Sequence, residues 1–188
     1  HLPDLRLLVT TGMRNASIDL DAATDRGVVV CGTGGLSYPT AELTWALILA
    51  LVRHIPGEDT AVRRGQWQTT VGTGLNGKVL GVLGLGRLGS QVATIGAAFG
   101  MTPIAWSQNL TAETAARYGA ELVAKKDIFA RSDILSVHLQ LSERTRGLVG
   151  SREIGLMRPT AYLVNTSRGP IVDEAALIEA LRAETIAG

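Results

Sequence analysis

The chain has 188 residues, 46% of them hydrophobic and 19% charged, with a formal net charge of +1. That length holds one domain, or one and part of another, and such a hydrophobic fraction builds a real core and excludes a disordered chain. A near-neutral balance supplies no broad basic field for nucleic acid or an anionic membrane. The single cysteine, Cys31, excludes an internal disulfide and leaves no cysteine pair for zinc, so no metal site is expected. A reducing, cytoplasmic location fits that count. The longest apolar run, residues 45–52, is too short to span a bilayer, and no secretory signal precedes the first segment.

In chain order, Leu5–Val9 reads as a short strand, Leu20–Asp25 as a short helix after Asp19, and Val28–Cys31 as a second strand. A glycine-rich loop covers Gly32–Pro39. From Thr40 to Ile55 the apolar positions Leu43, Leu47, Ala50, Leu51 and Ile55 recur at helical spacing. Pro56-Gly57 is expected to break this helix, with a second helical piece over Glu58–Arg64. Strands and helices then alternate. Strands are expected at Lys78–Leu83, Pro103–Trp106, Glu121–Val123, Asp133–Leu139 and Ala161–Asn165. Helices are expected at Leu88–Phe99, Thr111–Tyr118, Asp127–Arg131, near Arg152–Leu156, and over Asp173–Ala183. Short apolar runs alternating with helices imply an α/β fold, a doubly wound parallel sheet covered on both faces. Five strands follow Lys78, where a complete dinucleotide fold has six. With the opening on His1 and the abrupt close at Gly188, this reads as a fragment.

The chemistry begins at Gly84-Leu85-Gly86-Arg87-Leu88-Gly89, directly after the apolar run Val79–Leu83. Gly84 permits a tight turn, Gly86 lets backbone approach a pyrophosphate, and Gly89 lets the helix pack on the strand. Free N–H groups and the helix dipole then face the anion. This is the loop of a dinucleotide-binding (Rossmann) domain. At Asn165-Thr166-Ser167-Arg168-Gly169-Pro170 a strand ends and an arginine follows, at the edge where open α/β sheets bind ligands. A guanidinium there can grip a carboxylate through two parallel hydrogen bonds; the plainer alternative is a surface salt bridge.

Five stretches together resemble the D-isomer-specific 2-hydroxyacid dehydrogenases: Ile18-Asp19-Leu20, Pro39–Leu43, Gly84–Gly89, Ser136-Val137-His138-Leu139 through Thr145, and Val164–Gly169. The resemblance implies an NAD(P)-dependent enzyme that moves hydride between nicotinamide and a small 2-hydroxy or 2-oxo acid. It implies that residues 1–39 are the remnant of a flavodoxin-like substrate domain. Residues 40–188 would then be the dinucleotide-binding domain, short of its last strand, with the helix from Thr40 as the connection. Arg168 matches the arginine that binds the substrate carboxylate. The family's acid–base histidine and its glutamate match nothing up to Gly188, so the chain alone is expected to bind without turnover. His138 reads as a cofactor-side or packing residue rather than a proton donor. The same likeness implies a homodimer through the cofactor domain, the Thr40–Ile55 helix contributing. A rival of another class is an NAD(H)-sensing, corepressor-like interaction protein of the same fold.

The resemblance also places cofactor positions. The amides of Arg87 and Leu88 would meet the pyrophosphate, and Gly84, Gly86 and Gly89 shape their turn. His138, Leu139 and Thr145 would line the adenosine side, and Thr40, Thr166, Ser167 and Arg168 the nicotinamide side. Where NAD-specific sites place an acid, after the second strand, stand Ser107-Gln108-Asn109. No carboxylate there repels a 2′-phosphate and no arginine pairs with one, so the cofactor is NAD or NADP with a slight lean to NADP or dual use. Thr11, Gly12 and Met13 match a turn whose backbone meets the substrate, and Arg14 beside them reads as a contact or as an exposed side chain. Asp19 and Asp173 read as helix caps and Glu42 as a first-turn acid suited to the dipole.

Overall fold

The computed structural model describes residues 2–13, 15, 17–36 and 38–188. His1 and Arg14, and with Arg14 its expected substrate contact, lie outside the described residues. The chain divides into two compact units, His1–Ser37 and Tyr38–Gly188.

The first unit is a β-α-β hairpin of the parallel kind. Strand β1 (Leu7–Thr10) pairs with β2 (Val29–Gly32), and helix α1 (Leu20–Asp25) connects them. Asp19 caps α1 as expected, its carboxylate accepting from the Ala22 amide at 2.8 Å. Strand β2 runs one residue later than the sequence reading, through Gly32.

The second unit opens with α2 (Tyr38–Val52), two residues earlier than expected. That shift moves Glu42 beyond the first turn, so the expected dipole contact is withdrawn. The chain breaks at His54, whose φ of 53° is left-handed, and α3 (Ile55–Arg63) follows with Pro56 in its first turn. Pro56 therefore starts a helix rather than stopping one, because first-turn residues have no intrahelical acceptor to lose. Glu58 on α3 then accepts the amides and hydroxyls of Thr69 and Thr70, which holds its carboxyl down at about 2 and pins the segment leading away from α3.

Strands β3 (Val79–Leu83), β4 (Thr102–Trp106), β5 (Glu121–Leu122), β6 (Ile134–Val137) and β7 (Tyr162–Asn165) form one parallel sheet in the order β5-β4-β3-β6-β7. The connecting helices are α4 (Arg87–Ala98), α5 (Ala112–Arg117), α6 (Lys125–Arg131), α7 (Ser151–Ile154) and α8 (Glu174–Arg182). Alternate residues of β3 feed opposite faces. Leu80 and Val82 join Trp45 and Ile48 of α2, Val92 of α4 and Ala115 of α5 in one core. Leu83 joins Phe129 of α6, Ile154 of α7 and Ala180 of α8 in the other. Because β3 and β6 are covered on both faces, they read as near-continuous apolar runs. Asp173 caps α8 at 3.0 Å from the Ala176 amide.

One difference concerns the free side of β7. The Ala187 amide donates to the Ala161 carbonyl at 2.9 Å, and Leu163 donates to the Gly188 carbonyl at 2.8 Å. Pairing beyond β7 thus begins before Gly188, where the sequence reading put a sixth strand wholly after it. Among the described residues no helix is long and apolar enough to cross a membrane, and no group of three or more metal-ligating side chains forms.

Candidate functional site

Successive strands leave β3 in opposite directions, β4 to one side and β6 to the other, so the crevice above the carboxyl end of β3 is the switch point of the sheet. The glycine turn sits in that crevice. The Gly84 amide donates to the Trp106 carbonyl at 2.9 Å on one side, and the His138 amide donates to Leu83 at 2.8 Å on the other. The turn is therefore held between Ser107, next after β4, and His138, next after β6.

Gly84 has φ 103°, and a Cβ there would lie 2.9 Å from the His138 carbonyl group. A Cβ on Gly89 would lie 2.1 Å from the Gly84 carbonyl oxygen. Both positions exclude any larger residue, one for conformation and space, the other for space alone. Gly86 is different: with φ −88° it is open to any residue, and nothing lies within 4 Å of its missing Cβ. Among the described residues the amides of Gly86, Arg87 and Leu88 meet no acceptor, and α4 has no side-chain cap. Unfilled space beside three free amides at the positive end of a helix fits an anionic diphosphate.

The carboxyl end of β7 is built by Asn165. Its side chain accepts from the Ser167 amide at 3.0 Å and donates to the Arg168 carbonyl at 3.0 Å, fixing the turn that carries Arg168. The Arg168 guanidinium bonds the Ser167 carbonyl at 3.0 Å and, among the described residues, makes no ion pair. The Ser167 hydroxyl donates to the Leu139 carbonyl, tying the ends of β6 and β7 together. Thr40 lies in the first turn of α2, and its carbonyl accepts from the Thr44 hydroxyl, which also touches Thr166. Sequence reading missed Thr44: a lone threonine on an apolar helix carries no local signal.

Leu139 packs against Gly84, its Cδ2 standing 3.0 Å from where a Cβ would be. Thr145 is engaged within its own loop, its hydroxyl accepting from the Ser142 amide at 2.8 Å and donating to the Gln140 carbonyl at 2.7 Å. The expected Thr145 side-chain contact thus competes with two local bonds. His138 holds Ser136 Oγ at 2.8 Å through Nε2, while Nδ1 is buried without a partner. Burial pushes its pKa down to about 4, so the imidazole is neutral at neutral pH and carries no acidic imidazolium proton there. In the first unit, Thr11, Gly12 and Met13 follow β1. Gly12 is left-handed at φ 84° and donates its amide to Thr33 Oγ1 at 2.9 Å, while Met13 is exposed.

A parallel sheet with a free-amide glycine turn at its switch point defines a dinucleotide-binding domain. Residues 45–188 match the family model of the D-isomer specific 2-hydroxyacid dehydrogenase NAD binding domain, and the chain belongs to that family. It is 45% identical to a glyoxylate reductase of Aeropyrum pernix, over 98% of this chain and 58% of that protein. It is 38% identical to a D-3-phosphoglycerate dehydrogenase of Bacillus subtilis, over 100% of this chain and 36% of that one. Among solved structures, a phosphoglycerate oxidoreductase from Vibrio cholerae superposes with a TM-score of 0.93 at 36% identity, covering 98% of this chain and 60% of that one. The chain thus spans about three fifths or less of the relatives it matches.

Two predictions follow from this geometry. Gly86→Ala should lower stability by no more than about 1 kcal/mol, the cost of a poorer cap residue, because its Cβ meets nothing within 4 Å, yet weaken nucleotide binding at least tenfold in a titration. Gly89→Ala should lower stability by about 1–3 kcal/mol in urea unfolding, through forced displacement at the turn.

A third prediction concerns acid. The folded His138 resists protonation until about pH 4 whereas an ordinary histidine titrates near 6.5. The unfolded chain binds more protons in that window, so stability is complete above pH 6.5 and falls as pH drops towards 4, by about 3 kcal/mol for this group. Urea unfolding of the native chain and His138→Leu across pH 7 to 4.5 should show this slope in the first and a flatter one in the second; equal slopes would refute it.

Proposed function

We propose that this chain is the nucleotide-binding part, with the end of the substrate domain, of an NAD(P)-dependent D-2-hydroxyacid dehydrogenase. Residues 1–39 belong to the substrate domain in this reading and residues 40–188 to the cofactor domain. The observation that carries it is the open space and free amides at Gly86 on the same strand edge as Arg168, which makes no ion pair among the described residues. The names of its relatives, a glyoxylate reductase at 45% identity among them, support a small 2-oxo or 2-hydroxy acid as substrate.

When bound, the nicotinamide supplies the hydride acceptor or donor. The chain's own residues bind and orient. Amides of Arg87 and Leu88 take the diphosphate, with Gly84, Gly86 and Gly89 allowing the approach. Arg168, on its Asn165-braced turn, grips the substrate carboxylate and draws electron density from the neighbouring carbonyl. Thr40, Thr166 and Ser167 border the nicotinamide side; Ser107, His138, Leu139 and Thr145 border the adenosine side. Of the turn Thr11, Gly12 and Met13, Thr11 and Met13 keep backbone for the substrate in this reading, whereas Gly12 gives its amide to Thr33 Oγ1 and its carbonyl to the Thr33 amide, so its expected contact is withdrawn. The proton does not come from His138, which stays neutral at working pH.

Ser107-Gln108-Asn109 after β4 offers neither an acid against a 2′-phosphate nor a base for it. NADH and NADPH are therefore expected to bind within tenfold of each other in isothermal titration. A preference for NADH beyond tenfold overturns the cofactor reading, and absence of binding by either nucleotide overturns the function.

A homodimer through the cofactor domain accompanies this reading. Its support is the outer face of α2, where Leu43 is 53% and Leu47 is 40% exposed while Ala41, Trp45 and Ile48 fill the core. Sedimentation velocity should give a dimer that Leu43→Glu with Leu47→Glu converts to a monomer; a monomeric native chain refutes it.

A further inference from the structure

The hydroxyl of Thr44, a fully buried residue of α2, lies 2.8 Å from the Thr40 carbonyl oxygen and 2.8 Å from Thr166 Oγ1. Thr166 stands next after β7, 122 residues further along the chain. A carbonyl only accepts, and a hydroxyl carries one hydrogen. Both contacts are hydrogen bonds in one arrangement alone: Thr44 donates to Thr40, and Thr166 donates to Thr44. The neighbouring Ser167 hydroxyl likewise donates to the Leu139 carbonyl. Both hydroxyls at the carboxyl end of β7 have their hydrogens committed inward. Towards anything in the crevice they can only accept.

We propose that Thr44 is a positioning residue that holds the half-buried Thr166 hydroxyl as a hydrogen-bond acceptor for an amide N–H of the bound ligand. In the cofactor reading above, on which this rests, that donor is the carboxamide amino group of the nicotinamide. Thr44 touches no ligand itself. It acts by taking the Thr166 hydrogen, which would otherwise be free to turn outwards and present a donor to a donor. The polarity of this corner is thereby set from the helix that opens the second unit, and not from the loop that carries Arg168.

The test compares three nucleotides on the native chain by isothermal titration: NADH, reduced 3-acetylpyridine adenine dinucleotide, and ADP-ribose. The acetyl analogue has a methyl group where NADH has the amino group. ADP-ribose lacks the ring. One net neutral hydrogen bond predicts that NADH binds about fivefold tighter than the acetyl analogue. In Thr44→Val that ratio should fall below twofold with ADP-ribose affinity unchanged, and Thr44→Ser should restore it. A purely structural threonine would weaken all three ligands together and leave the ratio intact, which overturns the proposal. Thr166→Val must also abolish the ratio, and it does so without disturbing the buried end of α2 should Thr44→Val fail to fold. A native ratio near one with ADP-ribose bound overturns the Thr44 proposal alone; no binding of any of the three overturns the cofactor reading with it.

Discussion

The site depends on how closely the backbone of the β3–α4 turn approaches itself. The Gly89 Cα lies so near the Gly84 carbonyl that no Cβ fits between them, and Gly84 is pressed in the same way against the start of the His138 loop. These two contacts draw the first turn of α4 down onto the sheet edge. Once there, its free amides face the crevice and not bulk solvent at the flank of the domain. The third glycine has no such steric duty. The space beside it is open, while Gly84 and Gly89 on either side are buried and tightly packed.

Much of this was legible from residue patterns. The covered sheet shows as apolar runs at Val79–Leu83 and Ile134–Val137, and left-handed Gly100 and Gly119 close α4 and α5 where the pattern stops. The glycine spacing gave the turn because each glycine answers a local steric demand. Asp19 and Asp173 were legible for the same reason, since a cap acts over three residues. What escaped has a longer range or a competing local rule. Pro56 reads as a breaker until His54 is known to take the left-handed turn two residues earlier. The two additional residues at the start of α2 displace Glu42 from the first turn. Thr44 and Thr166 meet only because α2 crosses the end of β7, and no window of sequence contains both.

His138 shows how one residue answers two needs. Its backbone extends the pairing of β6 with β3 and so forms one wall of the glycine turn. Its ring, bonded to the fully buried Ser136, lies where solvation is poor and the charged form is disfavoured. A cation beside the adenosine half of a dinucleotide would be a second anchor competing with the amides for the phosphates. A neutral ring leaves the free amides of α4 as the anion-attracting groups on this side of the turn, where bonds are directional.

The charge at this edge is consequently local. With a net charge of +1 the chain as a whole does not attract anions. Attraction arises from the amides at the N-terminus of α4, where the exposed Arg87 also stands, and from the guanidinium of Arg168, held on a turn that Asn165 braces from both sides. The strand ends between them, Ser107, His138, Thr166 and Ser167, contribute hydroxyls and a neutral ring but no carboxylate. An acid placed among them would pair with Arg168 and remove the cation from the crevice. Because none is present, the two positive features stay separate, one suited to a diphosphate and the other to a carboxylate. Hydroxyl oxygens whose hydrogens are already given inward lie at the second of these. That order of donor, neutral gap, acceptor and cation is the polarity on which the proposed reading rests.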